Sequence, residues 1–144
     1  MYHHIHVDRR APSRTDVYLY ESRAESVPVL RVRYGTSGAR APLVAIAAAE
    51  EPATPAFITG ESLRLEPLTA RALVQVLALG ALDETLTIAT GEADVPVTLA
   101  PHDDRVLLTA RNFEAVLCEN APEDIARVAK ALEIALAHAA GDWR

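Results

Sequence analysis

Short apolar runs of alternating register, separated by turn residues and closed by a longer run of helical length, occur twice along this chain. Between Val27 and Tyr34, Leu30, Val32 and Tyr34 fall on one side of an extended backbone and Arg31 and Arg33 on the other, the period-two signature of a strand with one buried face. Gly35-Thr36-Ser37-Gly38 accepts positive φ and predicts a turn, so the next apolar run, Leu43 to Ala49, completes a hairpin. Asp16 to Tyr20 is a further β-prone run. Two prolines interrupt Glu50 to Pro55, and Ala56 to Thr59 and Ser62 to Leu65 then read as short strands flanking Gly60-Glu61. Pro67 suits the first turn of a helix, where its missing N–H costs nothing. Leu68 to Leu82 follows with only Thr69, Arg71 and Gln75 polar, a helix that is apolar on every side from Val76 onward.

The second half repeats the order. Thr85 to Thr90, Val95 to Leu99, Arg105 to Thr109 and Asn112 to Glu119 read as strands, with turns at Gly91 to Asp94 and Pro101 to Asp104. Asn120, with Glu123 three residues on and Pro122 in the first turn, predicts the cap of a helix running to about Ala139 before Gly141. Ile125, Val128, Leu132, Leu136 and Ala139 share one stripe of that helix, whereas Glu123, Arg127, Lys130 and His138 line the other side. Ile134 falls opposite Ile125, either as a tolerated exposed residue or as part of a second contact surface. The expected class is α+β, with antiparallel sheets and two main helices. Residues 1–15, rich in His and Arg, read as an arm or a short edge strand. Residues 16–144 read as one globular domain with halves 16–82 and 83–144. Sliding residues 27–82 by 56 positions yields seven identities, including Leu30 with Leu86 and Phe57 with Phe113, against about four by chance. The repeated order of elements is the stronger argument for duplication.

With 144 residues the chain is long enough to bury a core without staples. Half its residues are hydrophobic but only 5% aromatic, so the core must be built of Ala, Leu and Val. Cys118 is the single cysteine, which excludes an intrachain disulfide and a cysteine-based zinc site and fits a reducing cytoplasm. No apolar leader and no run of about eighteen apolar residues occurs, so neither export nor membrane insertion is expected. The net charge of −6 argues against a dedicated duplex-DNA binder, whose affinity comes mostly from Lys and Arg on phosphates. Thirteen of the fourteen basic residues are Arg, a bias that matches high-GC bacterial or phage coding sequence.

Candidate chemistry is sparse. Met1-Tyr2-His3, with His4 and His6, could offer a free amine, amides and imidazoles to square-planar Cu(II) or Ni(II); the competing reading is an arm whose histidines bind nothing. His102-Asp103-Asp104 places an imidazole beside carboxylates, and Cys118 with His102 could form a thiolate pair, but a polar hairpin tip and a small buried hydrophobe account for them as well. The glycines of a nucleophile elbow, the phosphate-loop pattern and the dinucleotide fingerprint are missing, so no cofactor and no catalytic function are expected. Arg31 and Arg33, with Arg23 and Arg40 near in sequence and Tyr18, Tyr20 and Tyr34 for stacking, could bind single-stranded nucleic acid; the alternative is a solvated face paired with carboxylates.

Leu65-Glu66-Pro67-Leu68-Thr69-Ala70-Arg71-Ala72-Leu73 resembles the ending of small Ala- and Arg-rich domains of unknown function from actinobacteria and their phages. The order of four strands and a helix, twice, is similar to the Whirly-type single-strand-binding architecture, and that resemblance implies binding of single-stranded nucleic acid. The leading expectation is nevertheless a non-catalytic, cytoplasmic interaction or regulatory protein that acts as a homodimer or on another protein. Its interface would use apolar helix surface at Val76, Leu77, Leu79 and Leu82, or at Ile134. A single-strand binder using Arg31 and Arg33 is the first alternative, and a small metal-binding protein or enzyme using His3, His4 and His6 is the second.

Overall fold

Alternation of the kind seen around Val32 can bury one face only, and the chain meets that constraint by forming two sheets with helices against them. The computed structural model describes residues 2–10, 14–21, 28–35, 43–48, 58–59, 62–89, 96–111 and 113–139. The fold is α+β, with two antiparallel sheets and two helices. Strands β1 (Tyr2–Arg10), β2 (Arg14–Glu21), β3 (Pro28–Gly35) and β4 (Leu43–Ala48) form a meander. The two-residue β5 (Ile58–Thr59) leaves this sheet, and β6 (Ser62–Leu65) returns to it beside β4. Helix α1 (Pro67–Leu77) follows. Strands β7 (Leu86–Ile88), β8 (Val97–His102), β9 (Arg105–Ala110) and β10 (Phe113–Glu119) make the second meander, which β5 extends on the far side of β10. Helix α2 (Pro122–Ala139) ends the described chain.

Register explains the core. Val17, Val32, Ile46 and Leu63 stand opposite one another across β2, β3, β4 and β6, and all are buried. In the second sheet Leu99, Leu108 and Ala115 make an equivalent buried row. Both rows belong to one continuous cluster with Leu73, Leu77, Ile125, Val128 and Leu132 from the helices. Helix α2 packs on α1 and on β2 and β3, and also touches β10.

Several sequence expectations change. Of the two readings of residues 1–15, an arm or a short edge strand, only the edge strand remains for residues 2–10, which form β1 and pair with β2 along its length. The short runs on either side of Gly60-Glu61 go to different sheets: β5 joins β10 in the second and β6 joins β4 in the first. Helix α1 stops at Leu77 rather than Leu82, because Gly80 takes φ +93° and the last turn closes with Leu79 N–H to Val76 C=O (3.1 Å) and Gly80 N–H to Leu77 C=O (3.2 Å). Strand β8 runs on to His102, leaving Asp103 and Asp104, at φ 48° and 62°, as a two-residue turn; paired positive φ values match the right-handed twist of a hairpin. The turns around Gly35 to Gly38 and Gly91 to Asp94 lie outside the described residues.

The repeat is one of topology with a drifting offset. Reading back from each helix, β6, β4, β3 and β2 take the places of β10, β9, β8 and β7. A fixed slide of 56 therefore matches the helices but pairs Leu30 of β3 with Leu86 of β7, when the topological counterpart of β3 is β8. Strand β1 has no counterpart in the second sheet, and β5 none in the first.

Asn120 does not cap α2. Its side-chain carbonyl accepts the Leu82 N–H (2.8 Å) and its amide donates to the Leu82 C=O (2.9 Å), clipping the segment after α1 to the junction of β10 and α2. Asp124 reaches back instead, accepting the Glu119 N–H at 2.8 Å while itself buried, and its charge in the first turn favours the positive end of the helix dipole. Asn120→Ala would leave both Leu82 groups without that partner, and we expect it to cost about 1–3 kcal/mol, read as a lower denaturation midpoint at constant slope; Asn120→Asp, which retains only the acceptor, should fall between.

Candidate interaction surface

The described residues split the proposed contact set by burial. Leu77 and Leu82 are core residues, Val76 and Ile134 are half-buried against that core, and Leu79 alone is exposed, at 76%. Leu77 and Leu82 are therefore unavailable to a partner in this fold. Gly80 is the cause: it turns the chain so that Leu82 folds back inward, where a continued helix would have carried it along the surface. Ile134 is half-covered because α2 is buried on two sides, by the first sheet and by α1.

A different stripe of α1 is open. Leu68, 63% exposed, is the other large apolar side chain left in water among the described residues. Continuing the helical progression of about 100° and 1.5 Å per residue into the closing turn puts Leu79 on nearly the same side, about 16 Å along, with half-buried Ala72 and exposed Gln75 between them. Thr69, Ala70, Leu73 and Leu77 occupy the buried side. Leu68 was not among the residues expected at a contact surface, because a helix rich in Leu and Ala carries no label for its wet side.

Arg31 and Arg33 do share one face, the outward side of the first sheet. Arg33 pairs with Asp16 directly across the strands, Nε to Oδ1 at 2.5 Å and Nη2 to Oδ2 at 3.3 Å. Asp16 is 1% exposed, so the two-pronged contact covers a carboxylate that water cannot reach. Arg31 stands opposite Tyr18, Tyr18 opposite His6, and the His6 and Tyr18 rings stack with centroids 6.4 Å apart and planes at 28°. Arg31 too has an interaction partner. Arg23 and Arg40 lie outside the described residues.

The remaining candidates separate. His3 and His4 are taken into β1, with their side chains outside the described set, and exposed His6 uses its ring on Tyr18. His102 Nε2 is 3.4 Å from Asp103 Oδ2, both widely exposed, beside a groove of 270 Å³ lined by His102, Asp103, Arg105, Leu107 and Val116. Cys118 faces the core and is fully buried, so no thiolate pair with His102 forms. Burial pushes its thiol up to about 12, and the Asp124 and Glu119 carboxylates add to the rise against the lowering effect of the amino terminus. No helix among the described residues is long and apolar enough to cross a membrane. Comparison of the chain with protein-family models, curated proteins and solved structures finds no match.

A thiol held neutral in the core reacts only when the core opens. We expect native protein at pH 8 to release no thionitrobenzoate from Ellman's reagent, and denatured protein to release one equivalent; fast release from folded protein would contradict the burial of Cys118.

Proposed function

We propose that this chain is a non-catalytic interaction protein that acts as a homodimer and engages a protein partner through the exposed stripe of α1. The observation that carries the reading is the exposure of Leu68, in the first turn of α1, and of Leu79, in the turn that closes it, on a helix whose opposite side is sealed into the core. Single exposed leucines are common, but two in line, three turns apart, form a ridge that a groove on a partner can cover. Neither side chain supports the fold by its burial, so the stripe can change while stability holds.

The expected outcome is that Leu68→Asp/Leu79→Asp melts close to wild type, since exposed substitutions shift stability by about 0.5 kcal/mol or less. The same variant should lose a protein that co-purifies with the tagged wild type from its native host. Identical sets of co-purifying proteins from both forms would sink this surface.

A second reading is favoured by the His6, Tyr18 and Arg31 row with Arg33 beside it: rings for base stacking and guanidinium groups for phosphate share one sheet face. Asp16, and Asp8 in register with it, offset part of that positive charge. If single-stranded nucleic acid binds here, fluorescence anisotropy of a labelled oligothymidylate should rise at low salt, fall as salt increases, and be lost in Arg31→Glu. Binding that ignores salt, or that survives the substitution, would reject the reading.

A further inference from the structure

We infer that two copies of this chain pair along β1, antiparallel about a twofold axis through His6, so that the first sheets of the two copies join into one ten-stranded sheet. This rests on the reading of the protein as a homodimer and names the contact that makes it.

Strand β1 is nine residues long and hydrogen-bonds to β2 on one side; among the described residues no strand pairs with its other side. The other sheet edges are much shorter, with two residues in β5, four in β6 and three in β7. A long edge exposes a row of N–H and C=O groups that templates another strand, and proteins guard such edges with Pro, Lys or bulges. β1 contains neither Pro nor Lys, its charged residues Asp8, Arg9 and Arg10 are gathered at its carboxyl-terminal end, and its one irregularity, between Tyr2 and His4, leaves His4 to Asp8 in regular register. It is also the strand of the first sheet that the four-strand-and-helix unit of the second sheet lacks.

The middle of the strand, His4 to Asp8, is complementary to itself. With the axis at His6, Ile5 stands opposite Val7 of the second copy and His4 opposite Asp8 of the second copy, each pairing occurring twice. Apolar positions meet apolar ones, and an imidazole position meets a carboxylate one. Ile5 and Val7 are only half-buried against the core, under the part of α2 that reaches β1, so a second copy would extend their cover. Moving the axis one residue, to Val7, would instead set Ile5 against Arg9 and His4 against Arg10, which matches neither polarity nor charge.

Cysteine cross-linking tests this in the full chain, because buried Cys118 does not compete. Light scattering should show a dimer. Under mild oxidation His6→Cys, at an exposed position, should convert most of the chain to a disulfide-linked dimer, since directly opposed residues have Cα atoms about 4.5–5.5 Å apart, within reach of a disulfide. Asp8→Cys should remain unlinked, its two copies lying about 13 Å apart along the strands. A dimer in which His6→Cys does not link overturns the β1 contact while leaving the homodimer standing. Linking of Asp8→Cys in place of His6→Cys overturns the register, and a monomer at high concentration overturns the contact and the homodimer together.

Discussion

Helix α2 has more apolar surface than one neighbour can cover, and the arrangement of the two halves follows from covering it. Ile125, Val128, Leu132 and Leu136 form its central stripe, Ala131 and Ala135 extend the stripe on one side and Ala129 on the other, and all seven are buried. Together they span an arc of about 160°, wider than the roughly 100° apolar stripe of an ordinary surface helix. The first sheet takes one part of that arc and α1 takes another. The carboxyl-terminal helix of the second half is thereby packed chiefly on the strands of the first. Small Ala side chains at the flanks let the backbones approach closely, so a core with only 5% aromatic residues closes without large rings to fill it.

Two smaller devices lock that arrangement. Strand β5 leaves the first half to extend the second sheet, and Asn120 holds both backbone groups of Leu82 across 38 residues of sequence. The halves thus exchange a strand, a helix face and a hydrogen-bonded clip. Separation at the midpoint of the chain would expose all three, so the topological repeat describes the order of elements and not two units that stand alone.

What the packing leaves over defines the surfaces. On the outward side of the first sheet, the Asp16 carboxylate is covered by the Arg33 guanidinium that spans it, and the bond matters most because an unpaired buried carboxylate would be far costlier than the pair is favourable. On α1, the burial of Thr69, Ala70, Leu73 and Leu77 leaves Leu68 facing water, as does Leu79 in the turn that closes the helix. These exposed groups are by-products of how the core closed.

The order and type of most elements were legible in the residues, because period-two and period-3.6 patterns are local and a turn of Gly, Asn or Asp marks each break; the number was not, since β1 stood only as one of two readings and six strands precede α1 where four were expected. The second half was read most closely: β9, β10 and α2 lie within a residue or two of their expected bounds. The candidate surface was legible only as far as the helix that carries it. Burial of Leu82 hinges on a single positive φ at Gly80, and Leu68 looks like any other leucine until the neighbours of α1 are known. Asn120 and Glu123 matched a capping pattern that the fold did not use, since a nearby backbone offered Asn120 two bonds where a cap offers one. By itself the sequence determined which segments bury a face and that the class is α+β. Only the tertiary structure decided which sheet each strand joins and which apolar residues stay wet, because those depend on contacts between residues far apart in the chain, to which local periodicity is blind.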